Sequence, residues 1–263
     1  MKFKAGESWA ILSPIEQSIK AKIEAVGTPL KDWDIKINRG VLTGLNEAFI
    51  IDKLKRDELI AKDPKSAEII RPILRGKDIK RNKFSFADKY LICLFPAKNY
   101  DIDDFPAVRD YLLTFDKRVL AQTGEKNIDG VKGKNARKKT NNAWFETQDS
   151  ISYWDDFSRQ KILYREISDK MDAVLDNDGY FVNNKCYLIT GEYLRFLCGF
   201  LNSKMFDVVL KQVNTTGGKG PEFMKSLAVH KPSGNDFTPS DEELYEIYDL
   251  TEAEINFISS SVS

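Results

Sequence analysis

The stretch KYLICLFPA, residues 89–97, is apolar on both of its alternating faces. A strand of that kind sits inside a sheet covered above and below, so the chain must supply further layers around it. The remaining pattern supplies them by alternating helix and strand signals. Ser13-Pro14-Ile15-Glu16 combines an N-cap serine, a proline at the first helical position and a glutamate at the third. Ile15, Ile19 and Ile23 then share one helical face, and Gly27 is expected to end the helix in a left-handed conformation. Trp33, Ile35 and Ile37 alternate as in a half-buried strand, and Gly40 and Gly44 break the next residues into a turn and a second strand. Asp63-Pro64 opens a short helix that Pro72 is expected to end.

Farther along, Val108, Tyr111, Leu112, Phe115 and Val119 repeat with helical spacing from about Pro106. KILYREI (161–167) reads as a strand, and Asn177-Asp178-Gly179 as the turn of a hairpin. Leu194, Leu197, Leu201, Met205, Val208 and Val209 mark one helix over 194–210, with Phe196, Phe200 and Phe206 widening its apolar surface. The expected fold class is α+β (mixed α/β). With 263 residues and 42% hydrophobic content, one large domain or two small ones can form. No run reaches the length of a membrane span and MKFKAGESW lacks the apolar core of a signal peptide, so no membrane partner and a cytoplasmic location are expected. Cys93, Cys186 and Cys198 are odd in number and lie in apolar runs, which suits buried free thiols.

Charge is unevenly spread. The net charge is zero, yet from Gly234 onward there are eight acids and no lysine or arginine, leaving 40 bases against 32 acids before it. The chain divides into a basic body, 1–231, and an acidic, helical tail, 232–263. Between about Gln122 and Asn142 lies a lysine-rich stretch with no apolar period. It reads as a long loop, and loops of that length in compact domains are usually functional or disordered.

Signatures of catalysis are sparse. The single histidine, His230, has no serine or cysteine elbow beside it and no second histidine for a metal, so it reads as structural. NTTGGKGPEF (214–223) lacks the spacing of a phosphate-binding loop, although Lys219 could touch a phosphate. Asp103-Asp104 and Asp155-Asp156 are neighbours in sequence and suit turns or caps.

Several segments in order resemble the TaqI-like C-terminal specificity domain, the target recognition domain of fused restriction and modification enzymes, related to type I specificity subunits. They are PLKDWDIKINRGVLTGLNEAFIID (29–52), IIRPILRGKDIKR (69–81), WFETQDSISYWDDFSRQKILYREIS (144–168), FLNSKMFDVVLKQV (200–213), SLAVHKP (226–232) and YDLTEAEINFI (248–258). At AVHKP the family tends to carry an isoleucine-proline pair instead. The resemblance implies a twisted β-sheet with flanking helices and a C-terminal helical segment. It also implies sequence-specific binding of double-stranded DNA, positioning an adenine methyltransferase and a nuclease supplied by other domains or subunits. This sequence has no Asn-Pro-Pro motif, so it is expected to hold no cofactor of its own; S-adenosylmethionine and Mg belong on the partner domains.

On this reading the loop cations Lys132, Lys134, Arg137, Lys138 and Lys139 meet DNA, the lysines at phosphates and Arg137 at a guanine edge. Arg75, Lys77 and Arg81 in LRGKDIKR form a second set. Thr43 and Asn46 in GVLTGLNE suit either a close approach to the DNA backbone or turn caps. Trp144, Tyr153, Trp154 and Phe157 are assigned to packing, since duplex recognition needs no aromatic platform. The alternatives are a protein-interaction module docking through its tail and apolar helix, or a diverged nuclease or methyltransferase.

Overall fold

The computed structural model describes residues 12–131, 134–168, 170–213 and 219–261, and of residues 211–213 the backbone alone. Helix α1 (Pro14–Val26) starts in a capping box, with Ser13 N donating to the Glu16 carboxylate and Glu16 N to Ser13 Oγ, and buries Ile19 and Ile23. Gly27 then adopts an extended conformation, not a left-handed one. Close approach explains the glycine: a Cβ there would lie 2.7 Å from the backbone of Ala228. The short strand β1 (Thr28–Pro29) leads to β2 (Ile35–Arg39), α2 (Asn46–Phe49), β3 (Ile50–Asp52) and α3 (Lys53–Lys62). Past Asp63, Pro64–Glu68 form one 3-10 segment, and Pro72 lies inside the next strand, β4 (Ile70–Leu74), instead of stopping a helix. On one side its Ile73 and Leu74 pair in parallel with Phe181 and Val182.

A small hairpin, β5 (Ile79–Lys80) and β6 (Lys83–Phe84), precedes β7 (Lys89–Ile92). The helix expected from Pro106 is two short ones, α4 (Pro106–Leu112) and α5 (Lys117–Leu120), because Asp116 restarts the second by accepting from Arg118 N. After the long loop come β8 (Lys161–Arg165), β9 (Ala173–Asp176), β10 (Phe181–Val182) and β11 (Cys186–Gly191). The turn at 177–179 makes no hairpin: β9 pairs with β8 while β10 pairs in parallel with β4, so the turn carries the chain from one sheet to another. A buried ion pair holds it there. Asp176 accepts from Lys161 Nζ at 2.5 Å and from the N–H groups of Asp178 and Tyr180.

The apolar helix expected over 194–210 breaks into α6 (Leu194–Leu201) and α7 (Lys204–Val213). Ser203 Oγ accepts from Phe206 N and starts the second helix. Beside it the Asn202 side chain bonds both N–H and C=O of Ala173 on β9. Helix α8 (Pro221–Ser226), strand β12 (Ala228–Val229) and helices α9 (Asp241–Ile247) and α10 (Glu252–Ser261) complete the described chain.

Two four-stranded sheets result, β10-β4-β7-β3 and β2-β11-β8-β9, in a mixed α+β fold. The second sheet is the partition between two cores. Alternate residues of its strands, Ile162, Tyr164, Ala173 and Ile189, pack with α1, α6 and α7, whereas Leu163, Val174 and Leu188 pack with the first sheet and with α3 and α4. Strand pleating alone produces this division, since successive side chains point to opposite faces. Strand β7 is internal to the first sheet, as its two-sided apolar pattern implies. Cys93, Cys186 and Cys198 are buried free thiols.

The acidic C-terminal segment packs into the second core through Leu244, Tyr245, Tyr248 and Ile258. Its carboxylates also serve other helices. Asp236 accepts from Arg195 N and Phe196 N at the start of α6, whose own N-cap residue, Tyr193, supplies no side-chain bond. Asp241 accepts from Lys204 N at the start of α7. Negative charge at these helix N-termini is favourable both as hydrogen-bond acceptor and against the helix dipole.

Candidate nucleic-acid interface

Among the described residues from Ala121 to Ser150 there is no helix or strand, yet the backbone is pinned at many points. Gly124 N donates to Arg137 O, Ala136 N to Glu125 O, Arg137 N to Ala121 O and Thr140 N to Gln122 O, so the chain runs out and back as an irregular hairpin. Gln122 is buried at the base, donating to the carbonyls of Ala143 and Glu146 and accepting from Thr140 Oγ1. Gln148 reaches from the far arm to Gln122 Oε1 and Lys138 O. Thr147 N donates to Leu94 O and Gln148 N to Leu42 O, which tie the arm to the body of the protein.

Arg137 is the anchor of this loop. Only 3% exposed, it donates through Nε to Leu120 O at 2.7 Å, through Nη1 to Thr43 O at 2.9 Å and Glu146 O at 2.6 Å, and through Nη2 to Trp144 O at 2.6 Å. Its guanidinium also lies 5.1 Å from the centre of the Phe49 ring. Burial pulls its pKa down to about 10, with Glu146 acting in the opposite sense, and it stays charged at neutral pH. An arginine committed to four carbonyls cannot offer its fork to a guanine, so the expectation for Arg137 is corrected: it positions the loop. Gly44, at φ +77°, takes the left-handed turn that brings Thr43 O to this guanidinium.

Other expected contacts also turn inward. Thr43 is fully buried, with Oγ1 donating to Asn46 Oδ1 and accepting from Leu45 N, so it is a turn residue and not a DNA contact. Lys219 is 1% exposed and donates from Nζ to Ser168 O, again a brace and not a phosphate ligand. Arg75 is held by Asp78 through two bonds of 2.8 and 2.9 Å, and Arg81 by Asp207 at 2.5 Å, so these two are partnered within the protein. Lys132 lies outside the described residues. Lys138, Lys139, Lys77 and Asn46 are exposed, as is Lys134, which pairs with Glu47 at 2.9 Å. The aromatics pack against the first core: Phe157 stacks on Phe181 at 4.2 Å, and Tyr153 donates to Arg39 O.

The structure adds cations that local sequence pattern does not single out. Strand register places Arg39 at the end of β2 opposite Tyr187, and Arg165 at the end of β8 opposite Cys186. Lys185 precedes β11, so all three gather at one end of the second sheet. There a groove of about 400 Å³ is lined by Arg75, Lys77, Arg165, Ile167, Asn183 and Lys185, with Glu166 as its acid. Arg39 Nε donates to Asn184 O at its margin. Asp149, whose N–H donates to Leu42 O, lies near both Arg39 and Lys138. Its carboxyl is raised by burial, against which the nearby charges of Arg39 and Lys138 both act. Exposed cations therefore run from Lys138 past Arg39 to Lys185. Sequence reading misses Arg39, Arg165 and Lys185 because only cross-strand pairing joins them.

Comparison with known proteins places the site in a family. The model of the TaqI-like C-terminal specificity domain matches residues 71–227, well over half of the chain. The chain belongs to that family. The match covers the basic turn at 75–77, the whole loop and the groove. A curated relative, the type II methyltransferase M.PaeR7I of Pseudomonas aeruginosa, is 23% identical over 188 residues, covering 71% of this chain and 29% of that protein. The chain thus spans less than a third of its relative. Two solved structures are similar to it. One is the type IIL restriction-modification enzyme MmeI in complex with DNA, with 13% identity, 89% of this chain and 28% of that one covered, and a TM-score of 0.45. The other is the type IIG restriction endonuclease BpuSI, with 12% identity, 90% and 28% covered, and a TM-score of 0.48. No helix among the described residues of this specificity domain is long and apolar enough to cross a membrane.

Proposed function

We propose that this specificity domain binds double-stranded DNA at a defined sequence and so positions catalytic domains that lie elsewhere. The observation that carries the proposal is the band of exposed cations on a rigid base, from Lys138 and Lys139 past Arg39 to Lys185 and Lys77. Polyanion binding needs such a band, because each neutralised phosphate releases condensed counterions. The anchoring by Arg137, Gln122 and Gln148 lowers the entropy lost when the loop meets its ligand. Three acids of the C-terminal segment are engaged within the protein: Glu254 pairs with Lys22, Asp241 with Lys204, and Asp236 accepts from Arg195 N at the start of α6. In this reading the adenine methyltransferase, the nuclease, S-adenosylmethionine and Mg belong to partner domains. The test is selection of duplexes from a randomised pool by the purified chain, without added cofactor. Enrichment of one sequence is the expected result; retention of duplexes without preference would reject the reading.

A further inference from the structure

The turn after β8 presents an apolar side chain where the surroundings are cationic. Ile167 is 71% exposed, although it lines the groove with Arg75, Lys77, Arg165 and Lys185. Leaving an isoleucine open to water forgoes the free energy that burying it would gain. The turn is not loose. Glu166 N donates to Lys185 O, Lys219 N donates to Glu166 O, and Lys219 Nζ reaches Ser168 O from beneath. Arg165 Nη1 is fixed to Asp172 at 2.8 Å, and Tyr187 Oη donates to Glu166 Oε1 at 3.2 Å. Glu166 and Ser168 are thus both held, and Ile167 between them is the residue whose side chain is left outside.

We infer that Ile167 is a base-contacting residue that packs against a thymine 5-methyl group in the major groove, while Lys77 and Lys185 on the rim hold the flanking phosphates. The inference rests on the duplex-binding reading above and adds to it the residue and the base feature read. The chemistry is complementary in both parts. A cationic rim suits the phosphate backbone, and an apolar tip between the cations suits the one apolar group that a base pair displays in the major groove. Glu166, already accepting from Tyr187, would be repelled by phosphates but can face base-edge donors, which agrees with a tip directed at bases.

The experiment uses the duplex enriched from the randomised pool, a scrambled duplex of the same composition, and the intact chain. Each thymine of the enriched duplex is replaced in turn by deoxyuridine, which removes the 5-methyl and little else. At one position the wild-type chain should bind about fourfold more weakly or worse, the scale of one apolar carbon returned to water. Ile167→Ala should bind the enriched duplex more weakly and be indifferent to that same replacement, with binding to the scrambled duplex unchanged. Because Ile167 is so exposed, the variant should keep the wild-type circular dichroism spectrum and melting temperature. Equal binding by wild type and I167A overturns the inference, as does equal weakening on both duplexes or the absence of any thymine that couples to the side chain; each leaves the duplex-binding reading standing. A chain that enriches no sequence at all overturns both.

Discussion

Arg137 shows what a sequence reveals about a residue and what it withholds. Its place in KGKNARKK marks a basic loop, and nothing in that string separates it from Lys138 and Lys139. The difference arises from contacts with Leu120, Thr43, Trp144 and Glu146, which are up to 94 positions away. The planar five-donor fork of arginine can serve several carbonyls at once, which a lysine ammonium does less well. Arg137→Ala leaves buried carbonyls without donors and should cost roughly 2 to 4 kcal/mol in urea unfolding. Arg137→Lys should recover part of this, and Lys138→Ala should change stability by less than about 0.5 kcal/mol. Wild-type stability in Arg137→Ala would mean that the loop does not depend on its anchor. The same reasoning covers Lys219 and Thr43, whose polarity is as visible in sequence as their burial is hidden.

The local signals that hold at the level of elements are those whose partners lie within a turn or a strand. The Ser13 capping box, the alternation at Ile35 and Ile37 and the two-sided strand at 89–92 are legible for this reason. Breaks escape notice where a hydrogen-bonding residue interrupts an unbroken apolar period: Asn202-Ser203 splits one apolar helix into two, though a serine before a helical stretch is a recognisable N-cap. Asn177-Asp178-Gly179 reads correctly as a turn and wrongly as a hairpin, because a turn does not say which strand the chain pairs with next. The C-terminal helices offer a test at this scale. Burial raises the Glu254 carboxyl, but hydrogen bonds from Lys22, Ser18 and Thr251 outweigh it and hold the group down at about 2. A carboxyl with a depressed folded-state pKa gives stability that is full above its ordinary value of 4.5 and is lost as pH falls towards 2. Glu254→Gln should therefore lower the melting temperature at pH 7 and narrow its gap to wild type progressively between about pH 4.5 and 2. A gap that stays constant across that range would show that the pairing of α10 with α1 does not depend on this charge.

For the molecule as a whole, the second sheet does two things at once. Its two faces divide the cores, and one of its ends gathers Arg39, Arg165 and Lys185 beside the turn at 75–77 and near the loop that Arg137 anchors. The sequence shows that the body is basic and that its cations cluster at 132–139, but the continuation of the band requires strand register, which no local pattern contains. The acidic segment balances the total charge to zero while packing away into the second core, so net charge conceals the cationic surface. The central claim is that this band is where the protein meets the phosphates of a duplex. Its most direct test is the salt dependence of duplex affinity for the wild-type chain and for a chain with Arg39, Lys138, Lys139 and Lys185 all changed to alanine. If each side chain neutralises one phosphate, the log-log slope should become shallower by about 3.6. The same slope in both proteins, with both folded, would contradict the account and put the DNA on another face.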